Sequence, residues 1–313
     1  MQTVITNSLL EAAEFIGRGG IVAFPTETVY GLGANVFDEQ AIAKIFEAKQ
    51  RPSDNPLIAH IASIEQIGQL ATEVTETARK FIDMFFPGPL TIILKKAGAV
   101  PLIATAGLDT IGIRMPRFEL AHEFLAACGT PVVAPSANLS GRPSPTTWQA
   151  VAEDLDGRID CILRADATEI GLESTVVDCT GSVPLVLRSG SISLEQLRVA
   201  VPSTTVHKTG ELEALRSPGL RHKHYSPRAR VIVADSITEL NAGRGSAFIG
   251  VTLPAARFEH ERICQTTEEY AHSIFEFFRE CDRLSIRNIY CEAVEETGIG
   301  AALMDRILRA AAG

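Results

Sequence analysis

The sequence holds no apolar run longer than about five residues, far short of the ~20 that an apolar helix needs to cross a bilayer. It opens without a basic segment followed by an apolar one, so no secretory signal is expected. No C-x-x-C pair occurs. The six cysteines (128, 161, 179, 264, 281 and 291) are scattered, which points to reduced, mostly buried thiols and a cytoplasmic location. The common phosphate loops are missing as well. There is no G-x-x-x-x-G-K-[ST], and Gly31-Leu-Gly33 lacks the third glycine of G-x-G-x-x-G. Thr297-Gly298-Ile299-Gly300 sits between a strand pattern and a helix pattern, where packing and helix entry explain it. Neither G-x-S-x-G, S-x-x-K nor H-E-x-x-H is present, so no ready nucleophile or zinc-bound base stands out.

Positive charge is also short: 29 Lys and Arg against 38 Asp and Glu give a net charge of −9 over 313 residues. Its distribution is uneven. Residues 1–200 carry −8, residues 201–230 carry +4, and residues 231–313 carry −5. An acidic body is a poor duplex binder, because nucleic-acid affinity rests on broad cationic footprints. Cations confined to one strip suggest a local anion, such as a phosphate chain. At ~100–200 residues per domain, the length predicts two domains, each able to bury a core without staples.

The patterns divide the chain in the same way. A capping box at Ser8–Glu11 opens a helix that stops near Gly17–Gly20, and Asp38 caps another with Ala41, Ile42, Ile45 and Phe46 on one face. Strands are expected at 20–24, 57–61, 90–95, 111–114, 131–134, 160–163, 174–178 and 184–188. Helices are expected near 63–70, 75–86, 118–127, 146–154 and 193–199. Several strands follow one another directly, which predicts an α/β fold with a twisted, mixed sheet flanked by helices. Residues 1–200 form this domain, and 201–229 form a proline-stiffened basic linker with a short helical turn at 209–216. Residues 230–313 form a small α/β domain with strands RVIVAD, SAFIGV and RNIYCE and helices near 267–282 and 301–311.

Three polar islands could carry chemistry. P-T-E-T-V-Y-G-L-G (25–33) leaves a strand and offers Thr26, Glu27, Thr28 and Tyr30, either as a solvated loop or as a pocket edge. K-Q-R-P-S-D-N-P (49–56) places Lys49 and Arg51 at a helix C-terminus, where the macrodipole favours them by ~0.3–1 kcal/mol. That does not account for Pro52 and Pro56, which stiffen the loop, nor for Asn55 or for His60 in the next strand. A-P-S-A-N-L-S-G-R-P-S-P-T (134–146) offers Ser136, Asn138, Ser140 and Ser144. Arg114, Arg188 and Glu173-Ser174-Thr175 stand at strand ends. His222 and His224 lack a third metal ligand at suitable spacing, so no metal site is assigned. The inventory of cations, hydroxyls and amides suits binding a polyphosphate beside a small polar molecule, with catalysis by positioning and charge neutralisation.

F-P-T-E-T-V-Y-G-L-G, the K-x-R of residues 49–51 with P-S-D-N-P-L after it, and S-A-N-L-S-G (136–141) resemble the YrdC-like threonylcarbamoyl-AMP synthases. S-P-G-L-R-H-K-H-Y-S-P (217–227) looks like the linker of that family's two-domain form, with Leu220 where methionine is more usual. The resemblance covers about residues 8–198 and the linker; beyond Arg230 it rests on position and pattern. It implies a YrdC-like first domain, a Rossmann-like second one, and a nucleotidyltransferase. Threonine and bicarbonate or carbon dioxide would form a carbamate, which attacks the α-phosphorus of ATP to give threonylcarbamoyl-AMP and pyrophosphate. Downstream transferase proteins would then modify tRNA, with direct tRNA contact left open. Lys49 and Arg51 would be catalytic. Arg51, Asn55, Thr110, Ser136, Asn138, Ser144, Arg188 and Tyr225 would hold ATP, with Mg²⁺ arriving on the nucleotide. Thr28, His60, Arg114 and Ser174 would hold L-threonine. The alternative is an RNA-binding module of the same fold. A carbamoyl-phosphate-using maturation protein would want zinc-finger or acylphosphatase-like segments, which this sequence lacks.

Overall fold

A computed structural model describes residues 2–206, 225–234 and 242–312. The first domain contains strands β1 (Val4–Thr6), β2 (Val22–Phe24), β3 (Gly31–Asn35), β4 (Ile58–His60), β5 (Leu90–Lys95), β6 (Thr110–Arg114), β7 (Val132–Ala134), β8 (Cys161–Leu163), β9 (Thr175–Asp178), β10 (Leu185–Arg188) and β11 (Thr205–Val206). Its helices are α1 (Leu9–Gly17), α2 (Glu39–Lys49), α3 (Ile67–Leu70), α4 (Glu76–Phe85), α5 (Glu119–Cys128), α6 (Trp148–Leu155) and α7 (Leu194–Ala200). The strands join in one sheet, ordered β1-β8-β2-β3-β7-β4-β6-β5-β9-β10-β11. Parallel pairs such as β4–β6 and β5–β9 alternate with antiparallel ones such as β3–β7 and β5–β6. This is the expected mixed sheet.

Both faces are covered. Ala12 and Ile16 of α1 pack with Phe124 and Leu125 of α5 on Val22, Phe24 and Val132. Ala23, Leu32 and Val133 point the other way, into a core shared with Ile42 and Ile45 of α2, Phe81 of α4 and Val151 of α6. Strand alternation thus sends neighbouring residues to opposite helical layers. The helix starts follow their caps: Ser8 Oγ accepts from Glu11 N, and the Asp38 carboxylate accepts from Gln40 N and Ala41 N.

The second domain has β12 (Arg230–Ala234), β13 (Ser246–Gly250), β14 (His260–Ile263), α8 (Thr267–Arg283), β15 (Asn288–Glu292) and α9 (Ile299–Ala311). Its four strands are parallel, in the order β12-β15-β13-β14.

Four strands depart from the sequence expectation: β1, β3, β11 and β14. In β3, glycines that read as a turn lie inside the sheet. A Cβ on Gly33 would stand 2.7 Å from Val132 Cγ1, and one on Gly31 3.2 Å from Ala134 Cβ, so close packing against β7 selects glycine there. The expected linker of 201–229 also changes. Thr205 and Val206 pair with β10 and extend the first sheet, while Tyr225 and Ala229 belong to the second domain's core. Residues 207–224, with the anticipated helical turn and His222 and His224, lie outside the described residues.

Candidate active site

Mixed strand directions bring chain ends of opposite polarity to one place. The C-terminal ends of β4, β6, β7 and β10 and the N-terminal ends of β3 and β9 surround a cleft with about 660 Å³ of free space, part of it open to solvent. Its lining includes Arg51, Arg114, Arg142, Arg188 and His60, with Glu173 the one carboxylate among the described residues. Four guanidinium groups in one cleft of an acidic domain suit an anion; they come from residues 51–188 and not from the basic strip of 201–230, most of whose cations lie outside the described residues.

On one wall, β4 and β6 run parallel with His60 opposite Arg114. Arg114 is 4% exposed. Its Nη1 donates to Thr28 Oγ1 at 2.8 Å and its Nε to Gly88 O at 3.4 Å. Its Nη2 lies 2.7 Å from Glu27 Oε1, an ion pair met off the hydrogen-bond axis. The guanidinium is therefore oriented before any ligand arrives. His60 Nδ1 donates to Ile58 O at 3.1 Å. Burial, with Arg114 adding to it, brings the imidazole pKa down to about 3, so at neutral pH the ring is uncharged and its Nε2 is an acceptor. Ser174 completes this group: it exchanges a hydrogen bond with Thr91 and accepts from Arg188 Nη2 at 3.1 Å.

On the other wall are Arg51, Ser136, Asn138, Ser144, Arg188 and Tyr225. Ser136 Oγ donates to Asn138 Oδ1, and Asn138 Nδ2 donates to Leu139 O and Arg142 O, which folds the 136–142 loop over its own amide. Arg51 Nη2 donates to Asn55 O at 3.3 Å. Burial lowers the Arg51 pKa to about 10 and also lowers that of Arg188. Both remain cations at neutral pH, held where desolvation favours an incoming anion. Tyr225 has φ +65°, stacks on Phe275 at 5.3 Å, and is pushed up in pKa by burial.

Of the sequence-predicted residues, the cleft lining gathers Thr28, Arg51, His60, Arg114, Ser136, Asn138, Ser144, Ser174, Arg188 and Tyr225. Three fall outside it. Lys49 is 1% exposed and donates from Nζ to the carbonyls of Ser136 and Asn138, so it braces the loop behind the cleft. Burial, then the charge of Arg51, depresses its pKa well below the ordinary lysine value. Asn55 is buried nearby, and its side-chain amide has no hydrogen-bond partner. Thr110 begins β6, paired with Lys95, four residues and roughly 13 Å of strand from Arg114. Tyr30, offered by the first island, is a core residue whose hydroxyl bonds the Ala165 backbone.

Sequence reading missed Arg142 and Glu173 as lining residues, and Arg279 and Arg306 entirely. The two last are 1% and 0% exposed. Arg279 Nη2 donates to Asp154 Oδ2 at 2.9 Å, and Arg306 Nε to Glu173 Oε2 at 2.9 Å. A signal existed: each interrupts the apolar stripe of its helix, Arg306 between Leu303 and Ile307, Arg279 between Phe275 and Cys281. An arginine on a buried stripe demands a buried acid.

The family described as telomere recombination matches residues 14–190, and the threonylcarbamoyl-AMP synthase C-terminal domain matches residues 192–312. The chain is 43% identical to threonylcarbamoyl-AMP synthase of Pyrococcus abyssi, over 96% of this chain and 92% of that protein. It is 39% identical to the enzyme of that name from Bacillus subtilis, over 97% and 93%. The crystal structure of P. abyssi Sua5 complexed with L-threonine superposes with a TM-score of 0.89 at 39% identity, over 99% of this chain and 97% of that one. The chain belongs to the Sua5, YciO and YrdC family, in its two-domain form.

Proposed function

We propose that this protein makes L-threonylcarbamoyl-AMP from L-threonine, bicarbonate or carbon dioxide, and ATP, releasing pyrophosphate. The observation that carries the reading is Arg114: a buried, pre-oriented guanidinium beside neutral His60, opening into the same cleft as Arg51 and Arg188. Such a fork suits one small carboxylate. The remaining arginines and the 136–144 loop suit a polyphosphate.

In this reading Arg114 and Thr28 hold the threonine carboxylate, and Ser174 and the His60 Nε2 acceptor meet its polar groups. The amine forms a carbamate with carbon dioxide, or with bicarbonate and loss of water. A carbamate oxygen then attacks the α-phosphorus, an O–P bond forms, and the bond to the pyrophosphate oxygen breaks. The residues orient the two reactants and offset charge on the leaving pyrophosphate, the main levers in phosphoryl-type transfers. Arg51 and Arg188 supply that charge. Lys49 acts at one remove, by holding the carbonyls of Ser136 and Asn138.

Mg²⁺ fits this site as a companion of ATP. No cluster of three His, Cys, Asp or Glu side chains exists among the described residues, and Glu173 is engaged by Ser144 and Arg306. Phosphate oxygens and water would ligate the ion, which adds charge neutralisation when bound. The product's mixed anhydride is labile, so transferase proteins that pass the threonylcarbamoyl group to tRNA are the fitting consumers. All six cysteines are unpaired, which suits a reducing compartment such as the cytoplasm. No described helix is long and apolar enough to cross a membrane. An RNA-binding role is disfavoured, because Arg114 and Arg188 are only 4% and 7% exposed and lie out of reach of a duplex backbone.

The test is pyrophosphate release from ATP, with threonine and bicarbonate omitted in turn. Release should require both; release that persists without threonine would refute the assignment.

A further inference from the structure

The loop of residues 139–144, which brings Arg142 and Ser144 to the cleft's nucleotide wall, is held from both domains: Ser140 N donates to Lys49 O of the first, and the second holds two of its carbonyls. Gly141 O accepts from Ser226 N at 2.9 Å, and Pro143 O accepts from Arg279 Nη2 at 2.6 Å. Two buried acids of the first domain complete the hold, and each is shared in the same way. Asp154 takes the Arg142 guanidinium on Oδ1 and the Leu139 amide on Oδ2, while Arg279 of α8 grips both oxygens. Glu173 takes the Ser144 hydroxyl on Oε1 and Arg306 of α9 on Oε2. Arg306 also donates from Nη2 to Ser189 O at 3.0 Å, next to Arg188, and lies 5.3 Å from the centre of the Tyr225 ring. Neither arginine lines the cleft.

We propose that Arg306 and Arg279 are positioning residues through which the second domain sets the geometry of the nucleotide wall, acting on Ser144 through Glu173 and on Arg142 through Asp154. This rests on the reading of the cleft as an ATP site. The physical reason is electrostatic. A buried carboxylate with one oxygen committed to a cation has a fixed rotamer, so its other oxygen becomes a fixed acceptor for the side chain that faces the ligand. Without the arginine, the acid must draw another donor or water into the seam, and Ser144 or Arg142 moves with it. At the threonine end, neither arginine bonds to Thr28, His60 or Arg114 among the described residues, and Ser174, although it follows Glu173 in the chain, has its hydroxyl held by Thr91 and Arg188. The second domain should therefore tune one substrate and leave the other alone.

The experiment measures ATP and threonine dissociation constants by calorimetry, with melting temperature, on the full chain and on Arg306→Met, Arg306→Lys and Arg279→Met. Arg306→Met should weaken ATP by roughly tenfold or more, since small misplacements of positioning groups have effects of that size. Threonine affinity should stay within about twofold, and Arg306→Lys should recover part of the loss, because an ammonium still reaches Glu173 but forgoes the fork. Arg279→Met should show the same split independently, which covers the case in which Arg306→Met does not fold. Unchanged ATP affinity in folded variants, or equal weakening of both ligands, overturns the proposal. Absence of ATP binding by the unmodified chain overturns the functional reading, and this inference with it.

Discussion

Lys49 Nζ donates to the backbone carbonyls of Ser136 and Asn138, so the helix end of one sequence island is fastened to the loop of another. Ser140 N returns a bond to Lys49 O at 2.9 Å. The ammonium thus acts through loop geometry, and Lys49→Met should separate activity from stability. The two carbonyls lose a donor, which costs ~1–3 kcal/mol, but a buried charge is also removed, which offsets part of that. We expect pyrophosphate release to fall about 100-fold with a melting temperature shifted by only a few degrees. Lys49→Arg should not rescue it, because the planar fork has no space at a fully buried site. Turnover close to that of the unmodified chain in Lys49→Met would show that the loop holds its shape alone.

His60 predicts a pH dependence of stability. Its pKa falls from 6.5 in the unfolded chain to about 3 in the fold, through burial and then Arg114. The unfolded state therefore binds the extra proton between these values. The contribution of the neutral ring is fully present above pH 6.5 and is lost as pH falls toward about 3, at roughly 1.4 kcal/mol per pH unit. Urea unfolding of the unmodified chain and of His60→Gln should diverge in slope below pH 6.5. Parallel pH profiles of the two proteins would contradict a buried neutral imidazole.

How much of this was legible in the sequence depended on whether a residue's role was local. Arg51 and His60 sat in or beside the stiffened polar island of residues 49–56, which chain patterns alone marked as the connector from a helix end into a strand. Thr110 was placed by resemblance, and the strand direction carries it to the far end of β6. The strand at 31–35 was invisible, because its glycines answer to Val132 and Ala134, about 100 residues away. Tyr225 was expected in a linker, yet it is a core residue of the second domain that reaches the cleft. Arg279 and Arg306 were missed because their partners, Asp154 and Glu173, lie over 120 residues away; only their place on apolar stripes hinted at burial.

Arg114 and Glu27 form a coupled pair whose halves can be tested separately. Arg114→Ala strands the Glu27 carboxylate, 0% exposed, without its cation. That should destabilise the fold by about 3–5 kcal/mol and abolish measurable threonine binding. Adding Glu27→Gln removes the stranded charge, so urea unfolding should recover part of the stability while calorimetry still finds no threonine binding. Recovery of binding in the double variant would mean that the carboxylate is recognised elsewhere.

Gly171 marks how closely the two domains meet. It has φ +80°, and a Cβ there would stand 2.4 Å from His272 O on α8, beside the bond between His272 Nε2 and Thr168 O at 2.8 Å. Gly171→Ala therefore meets both backbone strain and a clash with main-chain atoms that cannot rotate away. Gly129→Ala is the matched control, since Gly129 has φ +65° but nothing within 4 Å of its would-be Cβ. Strain alone should cost the control about 1–2 kcal/mol. Gly171→Ala should cost a further ~1–3 kcal/mol, and hydrogen exchange should quicken in residues 167–172 and at the start of α8 while the amides of β2 and β3 stay protected. Equal destabilisation of the two variants would show that the seam can open by about an ångström without loss, and that the domains are less tightly keyed than the fit at Gly171 indicates.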